Sequence, residues 1–249
     1  MALQFAISPD FPPEHIPGWY IFNTWLQREL DSAIHLQLYD NFGDLREAIH
    51  ADRLDLVYAN PFDASLLVRE KHFMPLARAD NLQDEAVVLT ADHHPARHIE
   101  DLRPGTVIAA TDVPDIEMMG MIMIEPADLN RDNTQRITCD NYVMVAKQLL
   151  NDEADIGFFL AEAFDNLSDL VKNQLRPLVR SQIQVIHHSL MAGPALQERH
   201  ATLQQLLTTM DTSEKGQGVL DALKIHRWSP LAQEDSEFMI DLMDTLMIS

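Results

Sequence analysis

The sequence predicts an α/β protein of two lobes, each a mostly parallel sheet flanked by helices, joined by a hinge. Three observations carry this. The first eighty or so of the 249 residues alternate strand and helix patterns, the order of a parallel sheet covered by helices. A second set follows between Gln135 and Phe159 and echoes the first. In both, an amphipathic helix leads into a short strand that opens with Asp and ends aromatic, Asp55-Leu56-Val57-Tyr58 and Asp155-Ile156-Gly157-Phe158-Phe159. The chain leaves the first set after about Thr90 and returns near Ile186, dividing into residues 1–88 plus 187–249 and residues 89–186.

In order, Leu3 to Ile7 is a buried-strand pattern, and Ser8 to Pro13 is a loop rich in breakers. Pro17 opens a helix to Leu30 whose apolar stripe reads as Tyr20, Ile21, Trp25 and Leu26. Ile34 to Tyr39 alternates as a strand does. The stretch Asp44 to Ala79 organises the rest. Leu45, Ala48 and Ile49 make an amphipathic helix, Asp55 to Tyr58 is a strand, and Asn60-Pro61 starts a helix to about Lys71, Asn60 as N-cap and Pro61 at the first position. Phe73 to Ala79 is the next strand. Asp84 to Thr90 and Thr106 to Ala110 are strands, with a polar loop and a short helical turn between them. A methionine-bearing helix runs from the Thr111 to Asp115 loop to about Glu125. Its methionines fill core. Gln135 to Cys139 is a strand, Asp140 the expected cap of a helix with Tyr142, Val145, Ala146 and Leu149 on one face. Leu178 to Val185 reads as an interrupted strand, Ile186 to Met191 as the crossover back. The remainder is helical, apart from a turn plugged by Trp228.

Composition excludes several classes. The formal charge is −21, from 39 acidic and 18 basic side chains, so a general nucleic-acid or anionic-membrane binder is excluded. One cysteine, Cys139, excludes an internal disulfide and a Cys-based zinc site. His93, His94 and His98 share a loop without a further ligand at helical spacing, so they read as loop residues and no metal is expected. No run reaches the ~18 apolar residues of a membrane span. No Lys or Arg precedes Arg28 and no long apolar region follows, which reads as a cytoplasmic protein, or a periplasmic one whose leader has been removed. No phosphate loop, paired-carboxylate motif, HExxH or GxSxG is present. No cofactor and no catalytic residue is expected.

The strand Asp55 to Tyr58 with its Ala59-Asn60-Pro61 turn resembles the strand of the type 2 periplasmic-binding-protein fold that ends in a Tyr-Gly-Pro-like turn. Ile99 to Ala109 and the run Asp140 to Gly157 are similar, in order, to two further segments of that fold's phosphate, phosphite and phosphonate branch of ABC-transporter solute receptors. The resemblance spans about residues 3 to 231. It implies a non-catalytic small-solute-binding protein, its ligand in an interlobe cleft and a transporter or signalling protein as partner. In that branch an anion sits on a Ser-Thr-Ser-Gly-like turn at a helix start. Here the place holds Thr111-Asp112-Val113-Pro114-Asp115-Ile116-Glu117. Two unit charges ~4 Å apart at an effective dielectric near 20 interact by about 4 kcal/mol, which costs an anion several hundredfold or more in affinity. A cation or a neutral polar solute is expected instead, and a cytoplasmic sensory role rather than transport.

The tip of a sheet strand beside a helix start is where α/β folds place ligands. The expected ligand-binding residues are Ser8, Tyr20, Tyr58, Asn60, Asp112, Tyr142 and Phe158, with Trp19 beside them. Two alternatives remain. One is a cytoplasmic enzyme on the same fold, of the menaquinone or thiamine-precursor type, with His15, His187 or His188 as base. The other is an interaction module that has kept the fold and lost its ligand.

Overall fold

A computed structural model describes residues 2–11 and 13–248, and all counts below refer to these. Pro12, in the breaker-rich loop, lies outside them. The elements in chain order are β1 (Leu3–Ile7), α1 (Ile16–Leu30), β2 (Ile34–Gln37), α2 (Phe42–His50), β3 (Leu56–Ala59), α3 (Pro61–Ser65), β4 (Met74–Ala79) and β5 (Ala86–Ala91). Then follow β6 (Val107–Ala110), α4 (Pro114–Ile124), β7 (Gln135–Thr138), α5 (Tyr142–Leu150), β8 (Ile156–Leu160), α6 (Ala161–Asp165), α7 (Asp169–Lys172) and β9 (Leu175–Arg180). The chain closes with β10 (Ser189–Ala192), α8 (His200–Thr208), α9 (Glu214–Leu223), β11 (Trp228–Pro230) and α10 (Gln233–Ile248). They form two compact units, residues 1–83 with 187–243 and residues 84–186 with 244–249, against the expected first division at 88/89.

The first unit holds a six-stranded sheet in the order β11-β4-β10-β3-β1-β2. β1 pairs parallel with β2 and β3, as strands joined by crossover helices must. The returning strand β10 runs antiparallel between β3 and β4, so the sheet is mixed rather than uniformly parallel. All four residues of β3 and of β10 are buried, the signature of strands covered on both faces. Trp228, expected in a turn, lies in the short edge strand β11 beside β4 and is buried. Trp19, Phe22 and Leu26 form the buried face of α1 with Gly18 and Asn23. Tyr20 and Ile21 point the other way, each about half exposed, because α1 carries two apolar stripes and the one with the larger rings faces the sheet.

The second unit holds a five-stranded sheet, β7-β6-β8-β5-β9, in which β5 is antiparallel to both neighbours. The echo between the units is atomic. Asn41 caps α2 and Asn141 caps α5, each side chain accepting from the backbone N–H three residues on, so the α5 cap lies one residue after Asp140. Asp52 and Asp152 both turn the chain at positive φ after those helices. Asp55 exchanges backbone and side-chain hydrogen bonds with Gln4, and Asp155 does the same with Val107. These pairs of residues stand one hundred positions apart. The aspartate that opens each strand is thus a clamp on the start of the neighbouring strand. The last strand of the unit, β9, begins three residues before the expected Leu178 and ends at Arg180.

Candidate functional site

In the first unit the tips of β1 and β3 meet at Ser8 and Asn60. The Ser8 N–H donates to the Tyr58 carbonyl at 2.9 Å. Asn60 is the N-cap of α3: its Oδ1 accepts from the Asp63 N–H at 2.7 Å, while its Nδ2 donates to Ser8 Oγ at 3.1 Å and to Asp63 Oδ2 at 3.0 Å. Pro61 follows the cap with a fixed φ and no N–H to satisfy. Arg46 Nε donates to Asp63 Oδ1 at 2.5 Å, and its guanidinium packs against the Phe42 and Phe62 rings with Nη2 making no hydrogen bond. Burial pushes the Asp63 carboxyl up, with Arg46 and Asn60 opposing and nearby Asp10 adding to the rise.

Ser8 also links this network to Asp10, whose Oδ2 meets His188 Nε2 at 3.0 Å. Burial would raise the Asp10 carboxyl. The charge and hydrogen bond of His188, the Ser8 hydroxyl and its own backbone N–H outweigh that and hold it below the ordinary value. Asp10 is therefore an ionised carboxylate with 5% of its side chain exposed. Its second oxygen, Oδ1, is buried and has no hydrogen-bond partner. Its partner His188 belongs to a ring cluster: Phe11, Tyr58 and His188 pack on one another with centroids 5.3–5.5 Å apart, and Trp19 and Trp228 pack on Tyr58 at 4.7 and 5.7 Å. His187 is buried, its Nδ1 3.2 Å from Ser189 Oγ. His15 lies apart from the histidine pair in sequence, and burial and the Lys224 charge push its pKa down, against Glu14.

In the second unit the corresponding tip is Thr111 at the end of β6. Its Oγ1 is buried without a hydrogen-bond partner, and its carbonyl accepts from Arg136 Nη2 at 2.7 Å. α4 then starts at Pro114 with Val113 as a cap that offers no side chain. Asp115 is buried in the first turn and Asp112 is exposed. The expected cluster of Asp112, Asp115 and Glu117 keeps its two aspartates at the helix start and has its glutamate paired. Glu117 is bonded to Arg136 at 2.6 Å and lies 3.4 Å from Arg131, so one of its three carboxylates is neutralised by arginines of another segment.

The structure brings Ser8, Tyr58 and Asn60 together, all 1% exposed or less. Tyr20 stands off on the outer face of α1, with its carbonyl accepting from Thr24. Trp19 is core. Tyr142 opens α5 and stacks on Phe159 at 5.6 Å. Phe158 is packed on α4, where a Cβ on Gly120 would come within 2.4 Å of its ring. Sequence reasoning passed over Asp10, Phe11, Asp63 and Arg46. Asp63 had a local signal, a carboxylate three residues after an Asn cap. Asp10 had a fainter one, the single charge in an apolar, proline-rich loop directly after a buried strand.

A family model for the periplasmic substrate-binding protein of phosphonate ABC transporters matches residues 5–236. Among solved structures, PhnD1 from Prochlorococcus marinus (MIT 9301) in complex with methylphosphonate is similar with a TM-score of 0.82 at 12% identity, covering 99% of this chain and 98% of that one. A protein from Xanthomonas citri bound to ATP gives 0.81 at 14% identity over 99% and 97%. The periplasmic aliphatic sulphonate binding protein SsuA from Escherichia coli gives 0.66 at 14% identity over 99% and 88%. At such identities the likeness shows the α/β fold. No curated protein matches the chain. Among the described residues no helix is long and apolar enough to cross a membrane.

Proposed function

The chain belongs to the family of periplasmic substrate-binding proteins of phosphonate ABC transporters, and on that premise we propose that it is a receptor for a small cationic or neutral polar solute anchored on Asp10. The family is one of substrate-binding proteins, not enzymes. Its periplasmic description gives the expected cytoplasmic location no support, and an ABC transporter is the partner protein it suggests.

The observation that carries the reading is the Asp10 carboxylate: buried, held ionised by His188, with one oxygen that has no hydrogen-bond partner. A buried acceptor left unmade costs about 1–3 kcal/mol, and more when charged. An ammonium or hydroxyl group of a solute removes that cost, and an ammonium also answers the charge.

The test is a thermal-shift panel of polyamines, quaternary ammonium compounds, amino acids and phosphonates. A solute at about 100 times its Kd stabilises the fold by ~2.7 kcal/mol, a rise of roughly 5–10 °C for a chain of this size. At least one cationic or neutral member should give it, and Asp10→Asn should abolish it. A phosphonate that shifts Asp10→Asn as strongly as the native protein would overturn the anchor. Silence from every solute would point to an interaction module that binds none.

A further inference from the structure

We propose that the second unit carries an accessory site for a small organic monoanion with an apolar body, in the cavity between α4 and the edge strand β7. The cavity has a volume of about 200 Å³. Its origin lies in the packing of α4. Gly120 has no side chain, so α4 settles directly on the Phe158 ring and covers β8 and β5. That leaves the far edge of the sheet bare, and three of the four residues of β7 are exposed. Ile108 and Ala110 are alternate residues of β6 and so share a face. With Phe158 and Met121 they make an apolar floor.

The rim carries the charge. Arg136 is committed, with Nη1 on Glu117 and Nη2 on the Thr111 carbonyl. Arg131 is not: its side chain is 75% exposed and its one ion pair, to Glu117, is long at 3.4 Å. The turn that presents Arg131 is set by its own hydrogen bonds. Asn130 Oδ1 accepts from the Asp132 and Asn133 N–H groups, Asn133 Oδ1 accepts from the Asn130 N–H, and Thr134 Oγ1 donates to the Asn130 carbonyl. The charged residues that line the cavity, two arginines and one glutamate, sum to one positive charge, with Asp132 beside Arg131 in the exposed turn.

A guanidinium with most of its five donors unspent takes a carboxylate in the two-point geometry that Lys cannot match. The volume falls below the ~300 Å³ at which drug-sized pockets begin, so the body is that of a fragment, a short aliphatic chain or a single ring. Glu117 stays beside the bound group. It tolerates one negative charge and works against two, which separates this site from one built for phosphate. The inference rests on the second unit alone and stands whether or not Asp10 anchors a ligand.

The experiment titrates benzoate into the full chain at low salt, read by NMR shifts of the Met121 methyl and by calorimetry. Saturable binding in the millimolar range is expected. Arg131→Met, an exposed turn substitution that leaves the fold intact by circular dichroism, should weaken it about tenfold or more, and benzamide and inorganic phosphate should bind about tenfold or more weaker than benzoate. Ala110→Leu, which fills the floor, should abolish it. No saturable shift at tens of millimolar, equal binding of benzamide, or benzoate binding unchanged in Arg131→Met would each overturn the proposal.

Discussion

At the residue scale, Asn60 shows how one side chain of the right type in the right place sets a site. Its amide caps α3, ties β3 to the tip of β1 through Ser8, and holds Asp63. Asn60→Ala should lose a cap, about 1 kcal/mol, and leave buried Ser8 and Asp63 groups short of partners, for a total of roughly 2–4 kcal/mol in urea unfolding. The two carboxylates near it should respond to pH with opposite signs. The folded pKa of Asp10 lies below its ordinary 3.8, so the stability it contributes is present above that value and is lost as the pH falls through the folded one. The folded pKa of Asp63 is raised above 3.8, so its charged form is disfavoured by folding, and stability falls as the pH rises from 3.8 through the folded value. Unfolding free energies of the native protein, Asp10→Asn and Asp63→Asn over a pH series should show the native advantage over Asp10→Asn shrinking in acid, and that over Asp63→Asn growing there. Asn60 was legible because its partners are three residues away or one strand over. Asp10 was not, because what makes it ionised is His188, 178 residues distant in the chain.

At the element scale, most strands and helices were legible from apolar runs and caps, and the misses have physical causes. α1 offered two stripes, and only the sheet decides between them. The β10 segment was read as a crossover because nothing local tells a central antiparallel strand from a buried loop. Close contacts between elements were likewise out of reach. Gly18 of α1 lies against α9, where a Cβ would sit 2.2 Å from the Ala222 carbonyl oxygen. Gly18→Ala gains about 1 kcal/mol of helix propensity, yet overpacking against fixed backbone costs as much as ~3, so a net loss of about 2 kcal/mol is expected in thermal unfolding. The paired strand-opening aspartates allow a cleaner test. Asp55→Ala and Asp155→Ala each remove a carboxylate from a backbone N–H, at 2.8 and 2.7 Å. Each should cost about 1–2 kcal/mol, and the double variant should equal their sum within about 0.5 kcal/mol, since they share no partners.

At the scale of the whole molecule, the surplus of acidic side chains was plain in the composition, and its effect on stability follows. Raising the salt from about 0.01 M to 0.15 M shortens the screening length from ~30 to ~8 Å, which should relieve self-repulsion at a charge of −21 and raise the melting temperature. A fall would mean that ion pairs such as Arg227 with Asp80 outweigh the repulsion. The α/β class and the internal echo were legible because both rest on local patterns repeated along the chain. The pairing order of the strands was not, since β10 finds its place between β3 and β4 from far along the sequence. That placement also fixes a timetable. As the chain leaves the ribosome, β4 has no neighbour to bond to until β10 and β11 are made. All five strands of the other sheet, β5 to β9, have emerged before either of them. The middle of the protein can therefore settle while its beginning waits. A released chain ending at residue 186 should show protease-resistant β5–β9 and a cleavable first eighty residues.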